Sequence, residues 1–165
     1  MRIKFSGVFL CLAIVFMCSS VYAKEPRTGL SIIPTFNSLG LGIRSWRTAQ
    51  FGWELQGNTS FDGDYKTGLA KLMYSPSTDK SRFYLFGGLG GFSYSGDNWS
   101  GSSSYYAIGT GWEWLKGIRK NQGASFEIGL QFGEVEYEFS YGGYTSTITF
   151  ELPNPYIGGN YVFYF

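Results

Sequence analysis

Large apolar side chains recur at every second position along most of this chain, and the positions between them hold glycine, small polar residues or charge. In LGLGIRSW, Leu39, Leu41 and Ile43 alternate with Gly40, Gly42 and Arg44. FGWELQGN sets Phe51, Trp53 and Leu55 against Gly52, Glu54, Gln56 and Asn58; SYYAIGTGWEW sets Tyr106, Ile108, Trp112 and Trp114 against Ala107, Gly109, Gly111 and Glu113. A period of two is that of a β-strand, whose successive side chains point to opposite faces. Turn chemistry divides the pattern. Short polar stretches at Arg47 to Gln50, Ser77 to Lys80 and Lys116 to Gly123 alternate with Gly/Ser/Asp-rich ones at Phe61 to Asp64, Ser95 to Gly101 and Tyr141 to Tyr144. With a tight reversal near Asn37 and Ser38, these connections predict eight strands, over 28–36, 39–46, 51–61, 67–76, 81–94, 104–115, 124–139 and 145–165.

The seventh of these changes parity along its length. Its apolar face runs Phe126, Ile128, Leu130, Phe132 and then Val135, Tyr137, Phe139. A slip of one residue reverses every side chain, so the pattern predicts a bulge near Gly133 and Glu134. The segment is also well beyond the ~9–11 residues with which a strand crosses a bilayer. Its later part, with Glu134, Glu136 and Glu138, is therefore expected to project past the other strands beside residues 146–151.

One face of each strand is large and greasy, the other small or charged. A soluble barrel would put the greasy face inside and leave glycine with glutamate to meet water. A barrel in lipid reverses this, with an apolar outer band, aromatic girdles and a polar interior. Backbone groups in hydrocarbon must all be paired, so the sheet has to close. The N-terminus agrees with export: Arg2 and Lys4 precede an apolar run from Val8 to Met17 and a small-residue close at Val21-Tyr22-Ala23. That layout predicts a signal peptide over residues 1–23, cleaved after Ala23, and one barrel domain over 24–165. Both cysteines, Cys11 and Cys18, fall in the leader, so no disulfide is expected beyond it. Without Arg2 and Lys4, 11 cations face 12 acids, which leaves no basic footprint for nucleic acid.

With the greasy faces outward, the interior is expected to hold Arg44, Glu54, Lys71, Arg82, Glu113 and Glu127, three cations with three acids. An eight-stranded barrel leaves room for little beyond side chains. The six are therefore read as a structural ion-pair network, with glycines at 40, 42, 52, 109, 111 and 129 making space and no conducting path. Arg82 is the ambiguous member, since RFYLFGGLGGFSY is apolar on both faces. The chain has no histidine, the side chain that supplies a base near neutral pH unaided. A non-enzyme is expected, without cofactor or metal; Asp62 and Asp64 alone are too few donors for a cation site. Gly87 to Gly91 lacks the lysine and helix of a phosphate loop.

The end of the chain, IGGNYVFYF, puts Ile157, Gly159, Tyr161, Phe163 and Phe165 on one face. It resembles the C-terminal signature of bacterial outer-membrane barrels, in which a final aromatic behind alternating apolar residues is recognised during assembly. With the leader and the eight alternating strands, the region from Lys24 to Phe165 is similar to the small outer-membrane β-barrel superfamily, the group of the OmpA transmembrane domain, OmpX and Ail-type surface proteins. The resemblance implies an eight-stranded antiparallel up-and-down barrel in the bacterial outer membrane. Its partners would be membrane lipid and lipopolysaccharide, with the barrel assembly machinery and periplasmic chaperones during biogenesis. It implies a surface-interaction role in which a hairpin bearing Glu134, Glu136, Tyr137, Tyr141 and Tyr144 meets a host or surface protein. A narrow pore or a lipid-modifying enzyme is the alternative.

Overall fold

The computed structural model describes residues 27–34, 37–76, 81–96, 99–117, 121–141, 144–151 and 153–165. The expected leader over residues 1–23 lies outside them. Nine antiparallel strands form one sheet: β1 (Arg27–Pro34), β2 (Ser38–Trp46), β3 (Phe51–Ser60), β4 (Tyr65–Tyr74), β5 (Ser81–Ser95), β6 (Trp99–Lys116), β7 (Gln122–Tyr141), β8 (Tyr144–Glu151) and β9 (Asn154–Tyr164). Each of β1 to β7 pairs with the next, β7 pairs with β9, and β9 returns to β1. The ring is thus a closed, eight-stranded, up-and-down barrel. β8 stands outside the ring, paired with the last part of β7.

The strands are staggered around the ring. One ladder runs from Gly29 through Arg44, Glu54, Lys71, Gly88, Ala107 and Gln131 to Asn154, yet the β9 partner of Gly29 is Tyr164, ten residues from Asn154. For eight strands that stagger corresponds to a tilt of about 40° from the barrel axis. The ring begins and ends at one rim, called here the terminal end; the hairpin of β7 and β8 rises from the other, the far end.

Three features depart from the sequence expectations. The last strand is two, β8 and β9, separated at residues 152–153, although both keep the same register against β7 (Glu134 opposite Glu151, Gln131 opposite Asn154). No extra residue is inserted near Gly133 and Glu134: the register is the same on either side, with Trp99 opposite Phe139 and Lys116 opposite Gln122, although the ladder skips Ser103 and Ser104. Polarity switches face along β7 while the register stays the same. Finally, β6 begins at Trp99, inside a stretch expected to be a loop. Gly101 pairs with both Tyr94 and Tyr137, so backbone pairing on two sides overrides a Gly/Ser composition that reads as a turn.

Outside the barrel, alternate positions are exposed and large: Leu41, Leu55, Ile108, Trp112, Ile128 and Ile157 among them. Inside, Trp46, Leu69, Met73, Tyr84, Phe86, Tyr105, Val162 and Tyr164 form a buried cluster. The rings fit because glycines face them. A Cβ on Gly52 would come within 2.8 Å of the Trp46 ring, and one on Gly111 would overlap Tyr84. In the turn after β3, Gly63 takes φ +82°, open to glycine at little cost. There Asp62 Oδ1 accepts from the Ser60 hydroxyl and, at 3.2 Å, from the Asp64 N–H. The Ser60 hydrogen bond holds this exposed carboxyl below its ordinary pKa; Asp62 thus closes its own turn.

Gly111→Val is expected to push Tyr84 off its site. Urea unfolding followed by tryptophan fluorescence should show a loss of about 1–3 kcal/mol, the usual cost of overpacking, and an unchanged midpoint would mean that the ring does not fill that space.

Candidate functional site: a charged layer inside the barrel

Arg44, Glu54 and Lys71 lie on one rung of β2, β3 and β4. Because cross-strand partners point to the same face, the register alone brings all three to the lumen. Arg82 and Glu113 are cross-strand partners on β5 and β6, and Glu127 enters from β7 opposite Gly111 and Gly158. All six are buried, Arg82 the least at 7% exposure, and the ambiguity over its direction resolves inward.

Arg44 is the hub. One guanidinium nitrogen meets Glu54 Oε2 at 2.8 Å and Glu127 Oε1 at 3.0 Å, and the other meets Glu113 Oε1 at 3.1 Å. Lys71 Nζ bridges Glu54 Oε2 and Glu127 Oε2, each at 2.7 Å. Arg82 stands at the edge, 3.7 Å from Glu113 Oε2, with its guanidinium 4.0 Å from the centre of the Trp46 ring. The planar, weakly hydrated guanidinium suits such a stack. Three positive and three negative groups leave the layer neutral, which is what makes burial tolerable where a lone charge would not be.

Neutral donors add to the acids, although Glu113 Oε2 accepts no hydrogen bond among the described residues. Tyr84 and Tyr156 donate their hydroxyls to Glu127 at 2.5 and 2.9 Å, and Tyr164 donates to Glu113. Ser31 and the Asn160 amide donate to Glu54 at 3.1 and 2.7 Å. Ser125 accepts from Arg44 at 3.3 Å and donates to Asn160. Every strand of the ring therefore supplies at least one group to the layer, with Ser31 from β1 and Asn160, Tyr156 and Tyr164 from β9.

Sequence reading missed these neutral partners. For Ser31, Ser125 and Asn160 a signal existed: each is polar at an inward position between apolar neighbours. The three tyrosines gave none, because an aromatic ring on either face reads as apolar and only the fold shows where its hydroxyl ends.

The layer is closed from both sides. Along their strands, Trp46 and Met73 lie beyond Arg44 and Lys71 toward the terminal end, whereas Leu69, Tyr105 and Phe92 lie toward the far end. No group of three or more potential metal ligands occurs among the described residues.

The other expected sites are far from this layer. Phe163 and Phe165 are exposed, and Tyr161 is half-buried with its hydroxyl 2.7 Å from Gln122 Oε1. Glu134 is exposed at the start of the far-end hairpin. The backbones of Glu136, Tyr137, Tyr141 and Tyr144 lie in that hairpin, where Tyr141 pairs with Tyr144; their side chains fall outside what is described. In comparison with known proteins, the chain matches no protein-family model and no curated protein.

Glu127→Ala should cost about 3–5 kcal/mol in urea unfolding, the range for removing one partner of a buried pair. Lys71 loses one of its two acids there and two tyrosine hydroxyls lose their acceptor. Arg82→Met should cost clearly less than Arg44→Met, since Arg82 has one distant partner. Equal losses at the two arginines would contradict the hub geometry.

Proposed function

We propose that this chain is an outer-membrane barrel of the small eight-stranded superfamily, non-conducting and non-enzymatic, whose far-end hairpin engages a partner at the cell surface. The observation that carries the reading is the inversion of polarity. A belt of exposed leucine, isoleucine, phenylalanine and tryptophan surrounds a lumen holding three ion-paired cations and three acids. Water gives no reason for that arrangement; hydrocarbon outside and a packed polar core inside do. Aromatic side chains gather toward the terminal rim, with Phe51 against Tyr74 and Phe83 against Trp112, as expected where a band meets an interface.

Occlusion of the charged layer by apolar rings argues against the pore. The absence of histidine from the sequence, together with acids that are all engaged by cations, argues against a lipid-modifying enzyme. What is left for contact is the hairpin, which reaches beyond the other strands. Lipid and lipopolysaccharide would meet the belt, and the alternating aromatics Tyr161, Phe163 and Phe165 would serve the assembly machinery.

Two measurements test this. The chain should remain in the membrane pellet after alkaline carbonate washing and give silent planar-bilayer traces. Replacing residues 141–144 by a two-residue turn should abolish cell-surface binding while leaving the urea midpoint within about 0.5 kcal/mol, since Tyr141 and Tyr144 lie beyond the strand pairs that close the ring. Recovery in a soluble periplasmic extract would overturn the membrane reading, and undiminished binding would remove the hairpin from it.

A further inference from the structure

Five buried side-chain nitrogen and oxygen atoms have no hydrogen-bond partner among the described residues: Arg44 Nε, Trp46 Nε1, Asn58 Oδ1, Arg82 Nε and Glu113 Oε2. Three of them belong to side chains that meet on the terminal side of the charged layer, where Trp46 closes β2 and Arg82 pairs across to Glu113. Arg82 stands between the other two. Its guanidinium lies 4.0 Å from the centre of the Trp46 ring, and its Nη1 lies 3.7 Å from Glu113 Oε2. All three residues are more than nine-tenths buried. Each orphaned atom has therefore given up bulk water on folding without gaining a protein partner, a cost that native interiors rarely leave unanswered.

Direct pairing does not answer it. At 3.7 Å Arg82 is beyond hydrogen-bond reach of Glu113, and closing that gap would still leave the Trp46 indole N–H without an acceptor. The other oxygen of Glu113 is engaged by Arg44 at 3.1 Å and by the Tyr164 hydroxyl, so the carboxylate is held with Oε2 toward Arg82. What would satisfy the three atoms follows from their chemistry. Trp46 Nε1 and Arg82 Nε each offer a hydrogen, and Glu113 Oε2 needs one. An anion would meet the Glu113 carboxylate; a cation would meet two N–H donors and the charge of Arg82. The layer is already neutral, with three cations and three acids, so an ion of either sign would be a buried charge without a counterpart.

We infer that the barrel binds an ordered internal water between Trp46, Arg82 and Glu113, and that this water joins Arg82 to the layer in place of a direct ion pair. It is neutral, it is small enough for a packed lumen, and it accepts from both N–H groups while donating to the acid. Internal waters ordinarily make about three such bonds. A separation just beyond 3.5 Å between opposite charges is what a bridging water leaves. Arg82 thereby keeps its stack on Trp46 and its link to Glu113 together, which no direct geometry allows. The site lies at the end of the barrel away from the hairpin and is independent of what the hairpin binds.

The test uses the full mature chain, in crystals grown from detergent and in zwitterionic micelles. A crystal structure fine enough to show waters should place one density peak within about 3.2 Å of all three atoms, with Arg82 still stacked on Trp46. Crystals grown in sodium bromide should show no anomalous peak at that point. In micelles the indole N–H of Trp46, identified by its loss in Trp46→Phe, should give NOE and ROE cross-peaks to water of opposite sign, the signature of a water that tumbles with the protein. These should persist in Tyr164→Phe, which removes that hydroxyl as a relay for exchanging protons. Direct contact of Arg82 with Glu113 and no density between them overturns the inference. Bromide at the site overturns it too, since the ligand would then be an anion. Cross-peaks lost in Tyr164→Phe assign the signal to the hydroxyl and sink the water. Density in the crystal without water cross-peaks at Trp46 in solution has the same consequence, because the folded barrel would not itself hold the molecule.

Discussion

Arg44 cannot be buried in this barrel unless three other strands deliver their glutamates to it. That requirement orders the rest of the lumen. Its guanidinium is shared among Glu54 of β3, Glu113 of β6 and Glu127 of β7, and Lys71 of β4 ties the first of these to the last. Because side chains alternate faces, sliding any one of these strands by a single residue would send its charge into the outer apolar belt and leave an unpaired ion behind. The layer is therefore best understood as a lock on register. Buried pairs are weak evidence of stability, since a hydrophobic replacement often does as well. What they discriminate against is wrong pairing, where the penalty falls on both partners at once. Stabilisation as such comes from the rings above and below, which exclude water and strengthen the electrostatics between them.

The alternation in FGWELQGN and SYYAIGTGWEW was sufficient to read the antiparallel barrel and to place Glu54 and Glu113 on its inner face. In RFYLFGGLGGFSY the same method could not orient Arg82, because an arginine stacked on tryptophan and a run of apolar residues on both faces leave no polarity contrast to count. Which acid meets which base was not legible either. Arg44, Glu54 and Lys71 could be recognised as rung partners only once loop lengths had fixed the register, and the contact between Arg44 and Glu127 spans the lumen, across strands far apart in sequence. Ser100 and Gly101 were unreadable for another reason. Backbone hydrogen bonds to two neighbours do not depend on side chains, so a loop-like composition can occupy a strand.

The shift of polarity along β7 shows how a correct pattern can carry a wrong cause. Apolar positions do change parity after Phe132, and a bulge would produce that. The same register on either side means instead that no residue is inserted and that the surroundings change. Under the membrane reading, Phe126 to Phe132 meet hydrocarbon on the outer face, and Glu134 stands where that face has reached water. The requirement for an apolar exterior ends at the interface, and the sequence stops supplying one. The position of the switch marks the outer boundary of the belt, and it coincides with the point where β8 gives way to Pro153 and Pro155.

The two prolines and the threonine-rich edge beyond them follow from one further constraint. Closing an eight-stranded ring with a stagger of ten residues forces some strands to rise well above their neighbours. β1 ends at Pro34, so among the described residues the strand beside it has no further neighbour on that side. Inside hydrocarbon a row of unpaired donors and acceptors would cost several kcal/mol per group, and proline removes the donors outright at the level nearest the belt. Farther out, water satisfies them cheaply and no such protection is needed for stability.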